Sequence, residues 1–116
     1  MHPEDLLPLQ EPTFFILTSL AAGNKHGYAI LKDIESLSDG RTHIGTGTLY
    51  GALSRLLDQG AIVQVENSAD SPAETPGKPR KAYALTRFGR EVLSAETDRL
   101  LSLAATARLH LGGESP

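Results

Sequence analysis

The chain has 116 residues, 40% of them hydrophobic and 22% charged, which is enough for one domain with a modest core and too little for two. It contains no cysteine, which excludes a disulfide framework and a thiolate metal site and leaves the fold to rest on packing. The formal net charge of −3 excludes a uniformly basic nucleic-acid binder, but the charge is segregated. Residues 1–24 hold Glu4, Asp5 and Glu11 and no Lys or Arg, whereas residues 40–57 hold Arg41 and Arg55 and no acid. Residues 75–90 are again free of acids and carry Lys78, Arg80, Lys81, Arg87 and Arg90. Two positive segments in an acidic chain are solvated surface unless the fold sets them on one side, where they would meet phosphate.

In chain order, residues 1–11 read as an acidic lead-in with neither the cationic nor the apolar region of a signal peptide. No apolar stretch reaches membrane-spanning length, so a cytoplasmic protein without a membrane partner is expected. The stretch PTFFILTSLAA, 12–22, has proline at its first position and Gly23 beyond its end, the punctuation of a helix. Phe14, Leu17 and Ala21 are expected on its core face, widened by Phe15 and Ile16. Residues 26–37 repeat apolar positions at Ile30, Leu31, Ile34 and Leu37, a second, amphipathic helix.

The stretch THIGTGTLYGALSRLLDQG, Thr42 to Gly60, invites a phosphate-loop reading. It fails on spacing. Gly40 and Gly45 stand the right distance apart for a P-loop, but Thr46 occupies the lysine position. For a dinucleotide fingerprint Gly51 comes one residue late, and the preceding SLSDGRTH is too polar for the required strand. A third helix from Thr46 to Gln59, stopped by Gly60, explains the stretch better. On a helical wheel Leu49, Ala52, Leu53 and Leu56 form its core face. The opposite side carries Gly47, Gly51, Ser54 and Asp58, flanked by Thr48, Tyr50 and Arg55. A glycine inside a helix costs about 1 kcal/mol relative to alanine. On an exposed face it has one clear use, close approach of a bulky partner to the helix backbone. With hydrogen-bond donors around it, such a face suits the DNA major groove. Gly45 is the residue most simply assigned to the preceding turn.

AIVQV, 61–65, and RKAYALT, 80–86, read as two strands of a long hairpin around a loop rich in Pro, Gly and Ser. A last helix runs from a Thr86 cap to Leu111. Leu93, Thr97, Leu100, Ala104, Ala107 and Leu111 are spaced four, three, four, three, four, the seam of a helix packed along another; Leu101, Leu103 and Leu109 lie beside it. At 1.5 Å per residue the helix is about 35 Å long, more than so small a domain covers. A second copy is the economical partner; folding back on its own domain is the alternative.

Three segments, HGYAI at 26–30, GTLYGALSRLLDQGAI at 47–62 and GKPRKAYALTRFGREVL at 77–93, resemble the PadR-like winged helix-turn-helix transcriptional regulators. Their order and spacing fit over nearly the whole chain. The resemblance implies a mainly α, α+β fold with a two-stranded wing and a long C-terminal dimerisation helix. It divides the chain into the lead-in 1–11, a DNA-binding domain 12–86, a dimerisation helix 87–111 and a tail 112–116, without a separate effector domain. It implies a dimeric repressor of a pseudo-palindromic operator in double-stranded DNA. The DNA-binding residues would be Thr46, Gly47, Thr48, Tyr50, Gly51, Ser54 and Arg55 on the third helix and Lys78, Arg80 and Lys81 on the wing. The dimer interface would hold Leu93, Leu100, Ala104, Ala107 and Leu111. Tyr28 belongs to the second helix, either packed under the recognition helix or at the DNA, and Tyr83 and Leu85 pack the wing on the core. Arg87 and Arg90 are phosphate contacts or solvated charge. Gly51 departs from the family, in which many members have proline after the tyrosine. Family members sense phenolic acids or cationic drugs, so a small-molecule effector is admitted; 5% aromatic residues and no tryptophan argue against a flat drug sandwiched between rings.

His2, His26, His43 and His110 lack metal-ligand spacing, and His26 reads as structural. No nucleophile, base and acid constellation or cofactor motif is identifiable, so neither an enzyme nor a cofactor is expected. The competing reading is a winged-helix module for protein–protein contact. The basic KPRK and a third helix free of acids until Asp58 favour DNA.

Overall fold

The computed structural model describes residues 1–66 and 81–112. The elements are a 3-10 helix, Pro3–Leu6, then α1 (Glu11–Ala21), β1 (Lys25–His26), α2 (Gly27–Leu37), α3 (Thr46–Asp58), β2 (Ile62–Val65), β3 (Ala82–Leu85) and α4 (Arg87–His110). Pro12 stands in the first turn of α1, where its missing N–H costs nothing. Gly60 follows α3 at φ 76°, the left-handed conformation that lets Gly60 and Ala61 return their N–H groups to Leu57 and Leu56. Thr86 caps α4 by accepting the Gly89 N–H at 3.0 Å.

The sheet has the order β1-β3-β2 and is antiparallel throughout, with Lys25 opposite Tyr83 and Ile62 opposite Leu85. The expected hairpin is therefore present, with a third strand on its far edge. Two residues are too few for any alternation to announce β1. Ile16, Leu17 and Leu20 of α1, Ile30 and Ile34 of α2, the α3 face Leu49, Ala52, Leu53 and Leu56, and Ile62, Tyr83 and Val92 form one buried core.

Two expectations are corrected. The core stripe of α1 is Ile16, Leu17, Ser19 and Leu20; Phe14 and Phe15 are only half-buried and meet edge to face at 5.8 Å. In an almost wholly apolar helix, periodicity alone could not select the inner face. Leu37, at the end of α2, is 46% exposed and not in the core.

The lead-in is a built part of the domain. Its 3-10 helix packs against α4, and Leu6, Leu7 and Leu9 lie against the core. α4 buries Gly89, Val92 and Glu96, then is exposed at every residue from Leu100 to Gly112. Gly89 permits the tightest approach. A Cβ there would collide with the Ala61 carbonyl group.

Candidate nucleic-acid interface

α2 and α3 are joined by a turn held from within. Ser38, 1% exposed, accepts the Thr42 N–H at 3.0 Å. Gly40, at φ 77°, returns its N–H to Glu35 at 2.8 Å, and the Thr42 hydroxyl donates to the Glu11 carboxylate of α1. A second tie joins α1 to α2. Ser19 donates to Asp33 at 2.6 Å, and Lys25 pairs with the same carboxylate oxygen at 2.8 Å. Burial would raise the Asp33 carboxyl, but the hydrogen bonds from Lys25 and Ser19 and the lysine charge outweigh it and hold it below its ordinary value. α3 is thus presented on a fixed frame.

Its outer face carries Thr46, Gly47, Thr48, Tyr50, Ser54 and Arg55, all exposed, with Gly51 half-buried among them. A Cβ on Gly47 would meet nothing within 4 Å, and one on Gly51 only the Arg55 Nη1 at 3.8 Å. Neither glycine makes room for the core. Gly45 is the residue that caps α3, in agreement with its assignment to the turn.

Tyr50 is 49% exposed and lies across the start of α2, where a Cβ on Gly27 would collide with its hydroxyl. Burial first, and then the nearby Tyr50, push the Tyr83 phenol above its ordinary value. His26, beside Gly27, places its Nδ1 3.2 Å from the Lys81 carbonyl oxygen. Residues 25–27 therefore join the first turns of α3, which hold no acid before Asp58, to Lys81 at the root of the wing. The packing reading of Tyr28 is overturned. Tyr28 is 60% exposed, with the Lys32 Nζ 5.5 Å from its ring centroid, because α2 turns Ile30 and Ile34 inward and leaves position 28 outside. Tyr83 is buried and Leu85 packs on the core.

Lys81 is exposed at the start of the described wing; Lys78 and Arg80 lie outside the described residues. Arg87 faces solvent beside Glu91 at 3.5 Å, an exposed pair that contributes little, and Arg90 is exposed. Of the seam, Leu93 is half-buried against its own core, while Leu100, Ala104, Ala107 and Leu111 are exposed. What the sequence did not announce is Glu96, a carboxylate 1% exposed on the inner face of α4. Among the described residues no group of three or more His, Cys, Asp or Glu could hold a metal, and no helix is long and apolar enough to cross a membrane.

Three helices around one core, the third set outward behind a braced turn, and an antiparallel wing define a winged helix-turn-helix protein, a DNA-binding class. Residues 16–95 match the model of the transcriptional regulator PadR-like family, and the chain belongs to that family. It is accordingly a DNA-binding transcriptional regulator and not an enzyme. It is similar to a PadR family transcription regulator of Clostridium difficile, with a TM-score of 0.70 and 22% identity over 88% of this chain and 99% of that one. A PadR family regulator of Eggerthella lenta gives a TM-score of 0.64 and 26% identity, covering 87% and 84% of the two chains. Bacillus subtilis PadR in complex with operator DNA gives 0.62 and 22%, covering 74% and 47%. A 37.1 kDa protein from a transposon of Streptomyces fradiae is 38% identical over 89 residues. That match takes in 77% of this chain and 23% of the relative, so the chain spans about a quarter of that protein's length.

Proposed function

We propose that the protein is a dimeric, sequence-specific repressor whose α3 helices enter successive major grooves of a pseudo-palindromic operator. The observation that carries this reading is the open face of α3, where Gly47 and Gly51 have almost nothing above them. Thr46, Thr48, Tyr50, Ser54 and Arg55 surround that face with donors for base edges and phosphates. Lys78, Arg80 and Lys81 serve the wing as phosphate contacts. The exposed half of α4, with Leu100, Ala104, Ala107 and Leu111, supports pairing with a second copy, which would bury an apolar stripe that water otherwise covers. A small dimer seated on an operator acts most directly by blocking access to it, hence repression. A small-molecule effector has room in the cleft of about 260 Å³ between α1 and α4, lined by Leu9, Phe14, Phe15 and Leu100 together with Glu11, Glu96 and Arg99, at the small end of ligand sites.

The test is a titration of the protein with its own upstream DNA, run beside Gly51→Leu. A retarded complex with the parent protein, and loss of that complex by the variant at unchanged melting temperature, is the expected result. Equal binding by both would remove α3 from the DNA.

A further inference from the structure

Glu96 is the last buried position of α4, one turn before the helix leaves the domain. Its carboxylate has three donors. Arg99 approaches with Nε toward Oε1 and with Nη2 at 3.0 Å from Oε2. The third is the Leu9 N–H, 87 positions away in sequence and 2.9 Å from Oε2. Just before Leu9, the 3-10 helix Pro3–Leu6 lies along α4, and Glu4 and Leu7 face Ala95, Asp98 and Arg99 across a shallow crevice. The lead-in thus forms a collar around the point of exit, tied by one buried carboxylate.

Burying a carboxylate is costly, and apolar replacements of buried ion pairs are often as stable or more so. Stability alone is therefore a poor reason for Glu96. Directional hydrogen bonds supply what a leucine cannot, a single orientation of α4 against the lead-in. That orientation matters if the projecting half pairs with a second copy. From Arg99 to His110 the helix runs about 16 Å at 1.5 Å per residue, so a tilt of roughly 10° at the exit moves its end by about 3 Å. This is close to the roughly 3.4 Å rise per base pair.

We infer that Glu96 is a positioning residue for operator recognition: by tying the Leu9 backbone and Arg99 together at the exit of α4, it sets the separation of the two α3 helices and hence the half-site spacing the dimer accepts. The inference rests on the dimeric reading above.

The absence of cysteine makes Ser54→Cys, on the outer face of α3, a single spin-label site in the full-length chain. Inter-label distances are measured without DNA by double electron–electron resonance. They are measured in the Ser54→Cys protein and in the same protein carrying Glu96→Ala, Glu96→Gln or Leu9→Pro. Leu9→Pro removes the donor from outside α4, together with an apolar side chain packed on the core, and stands in if Glu96→Ala does not fold. In parallel the unlabelled proteins are titrated with DNA selected by the wild type and re-spaced by one or two base pairs. Expected are one narrow distance for the Ser54→Cys protein and at least tenfold spacing discrimination for the wild type. Glu96→Ala and Leu9→Pro should give broad distances and under threefold discrimination, with Glu96→Gln, which keeps an acceptor for Leu9, in between. Folded variant dimers with the wild-type distance and discrimination overturn the positioning role alone. A labelled Ser54→Cys protein, otherwise unchanged, with no inter-label distance overturns the dimeric reading, and the positioning role with it.

Discussion

Gly51 and Gly89 both stand inside helices, yet a methyl group at each meets opposite surroundings. At Gly51 the nearest atom is the end of the Arg55 side chain, 3.8 Å away. Gly51→Leu should therefore keep or slightly raise the melting temperature, since leucine is the better helix former by somewhat under 1 kcal/mol. Operator titration should show at least a tenfold loss, the value of one good base contact or more. At Gly89 the Ala61 carbonyl carbon lies 2.9 Å from the added Cβ, with its oxygen closer still. Gly89→Ala should lower stability by about 1–3 kcal/mol through overpacking, more than its gain in helix propensity. Thermal melting should record a drop of roughly 4–8 °C per kcal/mol for a domain of this size. Tyr50 covers Gly27, so Tyr50→Ala would disturb the joint of α2 and α3 as well as any base contact; Tyr50→Phe isolates the hydroxyl. Glu96 adds a pH dependence. The hydrogen bonds from Arg99 lead in holding it below the ordinary 4.5, against burial and with help from the Leu9 N–H. A folded value below the unfolded one means that its stabilisation is complete above about pH 4.5 and is lost as pH falls through the folded value. Acid melts should therefore bring the parent toward Glu96→Gln as pH falls below about 4.5, with the parent losing more between pH 5 and pH 2. Parallel curves would show that the ionised form contributes nothing.

The wing and α3 meet DNA in different ways on the proposed reading, and their mutants should differ accordingly. Phosphate contacts position without specifying. Replacing Lys78, Arg80 and Lys81 together with alanine should weaken binding to all sequences alike. If each subunit neutralises about three phosphates through the wing, log K against log salt should lose a slope of about −5, at roughly −0.9 per contact. An unchanged slope in the triple variant would show that the wing stays off the DNA. The helices and hairpin were legible in chain order because each carries its own punctuation: Pro12, Gly60 and Thr86 at the ends, and Leu49, Ala52, Leu53 and Leu56 at helical spacing. β1 was not, because a two-residue strand is selected by pairing with β3 and by nothing in its own composition. Tyr28 was misjudged in one of its readings for a related cause. Its side of α2 is decided by how α2 is rolled against α1, and the Ser19, Lys25 and Asp33 tie helps set that roll.

At the scale of the molecule the exposed half of α4 governs assembly on the proposed reading. Ending the chain after Arg99 keeps the Glu96 collar and removes the apolar stripe, and sedimentation should show a folded monomer where the full chain is a dimer. Ending it after Leu93 also removes Glu96, and should give a monomer of lower melting temperature or an aggregating chain. A full-length chain that sediments as a monomer would overturn the dimer.

By itself the sequence determined the order of the four α-helices and the hairpin, the core face of α3, the two glycines opposite it, the charge segregation and the family. All of these are properties of neighbours within one turn, one strand or one motif, where spacing and chemistry act locally. Only the tertiary structure decided that the acidic lead-in is a collar on α4, that Tyr50 rests on Gly27 and that a carboxylate is buried at position 96. The Leu9 to Glu96 contact spans 87 positions, and no local periodicity reports it. Such a bond exists only once the core has brought both ends of the chain together, and desolvation then makes its geometry matter.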